Sequence, residues 1–355
     1  MLNGTILLAT TFICSVLSVF FLIRFTRKHG IYDSTDERKI HTGNIPRLGG
    51  IGIFTGFVAG LALLYFTFNI HALGNKLWAL IAGCTMIFVM GVWDDLKPWR
   101  PRYKLLVQCV AALVILSGNF SFSRITISDL NFVWNMGIWR FPLTFIWIIG
   151  VTNAFNLIDG LDGLAGSLTA VCSLTFALYF FSYTNTAAMM VCLILTLAIC
   201  GFLCFNLPFP KAKIFMGDGG SQFLGFVLSV LPLMNHVDGY ATIALPYAAA
   251  VLMIPIFDTI AAVWRRTREK QKFSTPDRFH LHHKLILMGF SGRQTLSIVV
   301  VFQLIISIFV SVAVWARGLV ALVLLIAVYL MGLLFFSIIH FRKQEIIARA
   351  EKAGE

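Results

Sequence analysis

The feature that most limits what this chain can fold into is a stretch of apolar residues long enough to cross a bilayer, repeated along nearly its whole length. About 20 such residues span the hydrocarbon core. In lipid the backbone must satisfy its own polar groups, so each such stretch is confined to a helix. The apolar runs predict eleven spans, at roughly 5–25, 48–68, 77–93, 103–118, 142–157, 163–182, 187–206, 219–235, 241–264, 294–315 and 317–340. Only 12% of the 355 residues are charged, against about 25% in soluble domains. The expected fold class is therefore an all-α polytopic membrane protein, one integral membrane domain over 1–355. Its motif-bearing region runs from about 24 to 293, followed by C-terminal helices and a short cytoplasmic tail over 294–355. The run Thr5–Phe25 is too long for a signal-peptide core and has no basic segment before it, so a cleavable signal is not expected.

With the N-terminus outside and the C-terminus in the cytoplasm, 24 of the 28 Lys and Arg residues fall on the cytoplasmic side. Only Lys76, Arg124, Arg140 and Arg317 remain outside. That asymmetry follows the positive-inside rule and accounts for the net charge of +12 without nucleic acid as a partner. Of the sixteen acidic residues, only Asp129 and Asp238 lie outside. Carboxylates contribute little to topology, so their one-sidedness implies a working surface on the inner leaflet. The seven cysteines all lie inside apolar runs with no CxxC pair, and read as packing residues.

Four polar constellations occupy that face. The first contains Asp94 and Asp95, with Lys97, Arg100, Arg102 and Lys104 close behind. Adjacent carboxylates repel unless a cation or proton sits between them. The pair suits either a Mg²⁺ and phosphate site or a solvated helix end balanced by its own cations. The second is Asn153-Ala-Phe-Asn156-Leu-Ile-Asp159-Gly-Leu-Asp162-Gly, with a polar group every third residue. A three-residue step drifts round a straight helix, and Gly160 and Gly163 predict that the helix breaks here. Broken backbone at a membrane edge is tolerated where it lines a cavity. The third, Gly217-Asp218-Gly219-Gly220-Ser221, precedes a helix and fits either phosphate approach or an ordinary N-cap. The fourth is the loop from Arg265, Arg266 and Arg268 through Pro276-Asp277-Arg278 to His280, His282 and His283. Its His-x-His-His pattern admits zinc, while the density of cations favours clamping a diphosphate.

In this order, Asp94-Asp95, NAFNLIDGLDGLAG at 153–166, FMGDGGS at 215–221 and the R-x-H-x-H-H segment ending at His283 resemble the polyprenyl-phosphate N-acetylhexosamine-1-phosphate transferases, glycosyltransferase family 4. Ile45-Pro46-Arg47-Leu48-Gly49-Gly50 and His280-Leu-His282-His283 look like the branch acting on UDP-GlcNAc rather than the peptidoglycan branch. The resemblance implies transfer of GlcNAc-1-phosphate from UDP-GlcNAc to undecaprenyl phosphate, with release of UMP. That is the first membrane step of O-antigen, common-antigen or teichoic-acid linkage synthesis, in the bacterial cytoplasmic (inner) membrane. The same chemistry on UDP-MurNAc-pentapeptide or UDP-GalNAc is the nearer alternative. A transporter is the more distant one, since transporters place their charges at mid-bilayer.

By the same resemblance Asp94, Asp95 and Asp218 are the catalytic residues, with a Mg²⁺ cofactor, replaceable by Mn²⁺, held by Asp218, Asp94 and Asn156. Lys104, Asn153, Asn156, Asp159, Asp162, Arg265, Arg266, His280, His282 and His283 are the expected substrate-binding residues. Asp258 is expected to pair with Arg265 or Lys104 and hold the loop. Membrane lipid surrounds the chain, and a homodimer is one assembly open to it.

Overall fold

The computed structural model describes residues 2–30, 45–68, 74–127, 132–207, 209, 211–234, 245–270, 280–316 and 318–354. Asp129, Asp238 and the segment Thr275–Arg278 of the expected histidine motif lie outside the described residues. Thirteen helices run in the order α1 (Leu2–His29), α2 (Gly50–Phe68), α3 (Gly74–Leu96), α4 (Pro101–Ser117), α5 (Arg140–Ile158), α6 (Leu164–Ser182), α7 (Thr186–Asn206), α8 (Gly217–Val230), α9 (Leu245–Val251), α10 (Met253–Arg268), α11 (Leu281–Leu287), α12 (Gly292–Ala316) and α13 (Gly318–Gly354). Between α4 and α5 lies a feature the hydropathy pattern does not show, an antiparallel hairpin of β1 (Arg124–Ile127) and β2 (Phe132–Asn135) with Ile125 opposite Trp134.

Eight of the described helices are long and apolar enough to cross a membrane, or nine if α9 and α10 count as one bent span. The other two expected spans are α4 and α8, which have 17 and 14 residues. Fourteen residues rise only about 21 Å, short of a hydrocarbon core of about 30 Å. α8 nonetheless tolerates membrane depth because protein rather than lipid surrounds it. It packs against α2, α3, α5 and α6, and all its residues but Asp218 are buried. The approach of α3 to α8 depends on glycine at both faces, since a Cβ on Gly91 would lie 2.5 Å from the Gly219 Cα.

Three breaks shape the face where the polar motifs gather. α5 ends at Ile158 and α6 begins at Leu164, as the glycines predict. Asn206 fixes this turn, accepting from Gly163 N at 2.8 Å and donating to Ile214 O at 2.9 Å. Gly217 enters α8 at φ +76, a conformation that L side chains rarely adopt. The third break bends α10 by 86° from α9. Pro255 has no N–H to offer the carbonyl of Val251, four residues earlier. That carbonyl instead accepts from Gln303 Nε2 at 3.0 Å and from Cys172 Sγ at 3.3 Å, so the opened backbone is satisfied inside the bundle.

Candidate active site

The three carboxylates expected to be catalytic come from two helices packed on each other. Asp94 and Asp95 end α3, and Asp218 opens α8. Asp95, buried, accepts from the backbone N–H of Asp218 at 2.8 Å and of Gly219 at 2.9 Å. It thus occupies the positive end of α8, where free N–H groups and the helix dipole favour an anion. A side chain on Gly217 would collide with this carboxylate and with Arg47 O.

Two cations thread the carboxylates together. Arg47 donates from a terminal nitrogen to Asp218 Oδ1 at 2.7 Å, while its Nε stands 3.3 Å from Asp95 Oδ1. Lys104, on α4, places Nζ at 2.5 Å from Asp94 Oδ2 and 3.1 Å from Asp218 Oδ2. The other oxygen of Asp94 accepts from Trp99 N at 2.8 Å. Burial pushes the Asp218 carboxyl upward, but Lys104 and Arg47 outweigh it and hold the group below the usual carboxylate range.

Beneath this cluster lies a buried amide chain. Gln222 Nε2 faces Asp218 Oδ2 at 3.5 Å, and Gln108 donates to Gln222 Oε1 at 2.9 Å. Asn153 donates to Gln108 Oε1 and to Ile149 O, both at 2.8 Å. Asn153 therefore supports the cluster from below through amides already engaged. Asn156 donates to Ser221 Oγ at 3.0 Å, tying α5 to the first turn of α8.

The turn after α5 carries Asp159 and Asp162. The Asp159 carboxyl is pushed up to about 7, first by burial and then by the negative charge of Asp218, with Asp162 adding to it. His282 packs directly on this turn, so closely that a Cβ on Gly160 would fall on its ring. Both His282 ring nitrogens are buried and lack a hydrogen-bond partner. Burial, helped by His283 and His280, holds the ring neutral down to about pH 3. The His283 ring centroid lies 4.2 Å from that of His282.

Asp258 departs from expectation. Its carboxylate accepts from His280 Nδ1 at 2.9 Å and Leu281 N at 2.8 Å rather than meeting Lys104, which is held between Asp94 and Asp218. The loop is held, but by the histidine segment itself. Arg265 and Arg266 stand on the last turn of α10, the helix that carries Asp258.

Sequence reasoning missed Gln108 and Gln222 as members of the site, and gave Arg47 and Ser221 only as motif residues, without a role. Arg47 stood in the Ile45–Gly50 segment as a mark of the family branch and otherwise counted as topological charge. Gln108 lies one turn after Lys104, and that spacing was the available signal for it. Among the described residues, no three His, Cys, Asp or Glu side chains gather as a ready metal cage. Hard oxygens of Asp94 and Asp218 do converge on one cationic point, the Lys104 Nζ. Mg²⁺ commonly takes one or two protein carboxylates and completes its shell with phosphate and water, so this donor set fits such an ion.

Residues 77–236 match the model of glycosyl transferase family 4. The chain is 35% identical over 306 residues to a probable undecaprenyl-phosphate N-acetylglucosaminyl 1-phosphate transferase of Bacillus subtilis, covering 85% of this chain and 83% of that protein. It is 29% identical over 296 residues to the undecaprenyl-phosphate alpha-N-acetylglucosaminyl 1-phosphate transferase of Escherichia coli K12, covering 81% and 77%. To the Yersinia pestis protein of the same name it is 28% identical over 288 residues, covering 80% and 77%.

Proposed function

Since this chain belongs to glycosyl transferase family 4, we propose that it transfers GlcNAc-1-phosphate from UDP-GlcNAc to undecaprenyl phosphate and releases UMP. One observation supports this reading above the rest. Asp94 and Asp95 from one motif and Asp218 from another are drawn together by Arg47 and Lys104, where the end of α3 meets the start of α8. The relatives' names supply undecaprenyl phosphate and the N-acetylglucosaminyl 1-phosphate group; the uridine diphosphate carrier follows from the family resemblance.

An oxygen of the acceptor phosphate attacks the sugar-linked phosphorus of UDP-GlcNAc. The bond from that phosphorus to the bridging oxygen breaks, and its electron pair leaves with UMP. One phosphoanhydride replaces another, so no ATP is consumed and the exchange runs in both directions. Both substrates are anions, and Arg47 and Lys104 offset their repulsion where the phosphates meet. The acceptor phosphate is already largely ionised near neutrality, its second pKa being about 6. Asp94 and Asp95 therefore contribute more by holding it and the nearby cations than by removing a proton. Asp159, Asp162 and Asn156 face the uridine side. His282, with two buried nitrogens to satisfy, takes polar groups of the sugar phosphate, flanked by His280 and His283.

Mg²⁺ held by Asp218, Asp94 and Asn156 would neutralise charge on the diphosphate, and Mn²⁺ suits the same oxygen donors. The acceptor's tail stays in hydrocarbon while its phosphate reaches the cytoplasmic helix ends. In this reading the N-terminus lies outside and the C-terminus inside a bacterial cytoplasmic membrane, as the charge asymmetry of the sequence favours, and the whole chain acts as one membrane domain.

The deciding experiment is radiolabelled exchange with purified protein and undecaprenyl phosphate, offering UDP-GlcNAc, UDP-GalNAc and UDP-MurNAc-pentapeptide in parallel. Label should enter lipid from UDP-GlcNAc and leave as UMP. Incorporation from either other donor in its place would overturn the assignment.

A further inference from the structure

We propose that Asp258 is a positioning residue for donor recognition, acting through His280 to seat the histidine segment on the Asp159–Gly160 turn. The inference rests on the reading above, in which that segment contacts the UDP-sugar.

Asp258 lies on the inward face of α10 and is 2% exposed. A carboxylate so deeply buried is costly unless its oxygens are satisfied. Each oxygen of Asp258 has one donor, and both donors belong to one short stretch. Oδ1 accepts from Leu281 N, the first amide of α11, and Oδ2 from the ring of His280. One bond fixes the backbone and the other fixes the side chain. An ionised carboxylate only accepts, so Nδ1 of His280 must carry the hydrogen, which leaves Nε2 directed away from Asp258.

Beyond His280 the order continues ring by ring. The planes of His280 and His282 lie within 8° of parallel, with centroids 6.3 Å apart. His282 then meets the Gly160 backbone, where only a glycine leaves room for it. Asp258 has no side-chain contact of its own with the carboxylate cluster among the bonds described for it. Its influence on the donor passes through the placement of these rings.

A role limited to stabilising the fold would predict that losing Asp258 affects both substrates alike and independently of His280. Positioning predicts a defect in donor use that vanishes once His280 is absent. Full-length wild type, D258N, D258E, H280Q and the double variant D258N/H280Q would be purified in detergent. Initial rates would be taken varying UDP-GlcNAc and undecaprenyl phosphate separately, with thermal unfolding recorded on the same samples. D258N presents an amide N–H where His280 needs an acceptor, so it should raise the UDP-GlcNAc KM or lower kcat about tenfold. The KM for undecaprenyl phosphate should stay within about twofold. D258E should recover part of the loss, and the double variant should be no worse than the poorer single variant.

Penalties that multiply in the double variant, a D258N enzyme within twofold of wild type, or a defect confined to the lipid acceptor would each overturn the proposal. If D258N does not survive purification, nitrogen spectra of ¹⁵N-histidine-labelled wild type, assigned by difference against H280Q, decide the matter. Hydrogen on Nδ1 of His280 supports the arrangement, and hydrogen on Nε2 alone overturns it. A wild type silent on UDP-GlcNAc but active on another UDP-sugar would overturn the donor assignment instead, and the same variants would then be compared on that sugar.

Discussion

At the scale of single residues, the chemistry concentrates in side chains whose charges are mutually dependent. Asp218 touches both Arg47 and Lys104. Replacing it by Asn should lower turnover at least about 10²-fold, some 2.7 kcal/mol of barrier, while the purified protein keeps its unfolding temperature within a few degrees. Near wild-type turnover at saturating Mg²⁺ would remove Asp218 from the catalytic set. Asp159 permits a prediction with a definite sign. Its carboxyl sits at about 7 in the folded protein, against about 3.9 for an unperturbed Asp, so the folded state holds the proton more tightly. The corresponding stability is present at low pH and is lost as pH rises from about 4 to about 7. In chelator, melting curves of Asp159→Asn should show less loss across that window than wild type; parallel curves would contradict the shift. Most of these residues were legible as motif members, because carboxylates at apolar helix ends stand out. Arg47 was legible only as a motif member, since its bridging of Asp95 and Asp218 depends on residues far away in the chain. Asn153 was expected among the substrate ligands by the family resemblance, and its amide donates to Gln108 Oε1. Spacing alone does not reveal which amide is already paired.

At the scale of elements, the break between α5 and α6 was legible from two glycines. The 86° bend between α9 and α10 was not. Residues 241–264 read as one apolar span that includes Pro246 and Pro255, and hydropathy does not register that Gln303, some fifty residues after Val251, takes up the freed carbonyl. The same blindness applies to α8, whose short length is affordable only because neighbouring helices enclose it. Gln303→Leu should strand the Val251 carbonyl away from water. An unsatisfied buried acceptor costs about 1–3 kcal/mol, and Cys172 is too weak a donor to make up the difference. The variant should unfold several degrees lower in detergent. An unchanged melting temperature would mean that the bend does not depend on this bond.

At the scale of the whole molecule, the charge asymmetry of the sequence and the clustering of its carboxylates describe one face of one bundle. Cysteine scanning tests its direction in a background with the native cysteines removed. Thr184, exposed in the turn between α6 and α7, should react with an impermeant thiol reagent in intact cells once changed to Cys. Lys270→Cys, exposed just beyond α10, should react only after lysis. The reverse pattern would invert the topology. The bridging of three carboxylates by Arg47 and Lys104 has a consequence of its own. With every carboxylate ionised, those five side chains sum to one unit negative, a charge that on the proposed reading opposes two anionic substrates. A single divalent ion held there, as proposed, would reverse that sign. On that reading occupancy by cation and by nucleotide sugar would be thermodynamically linked, each raising the other's affinity by the same factor, so that neither reactant would be held strongly until the centre is electrically ready for both.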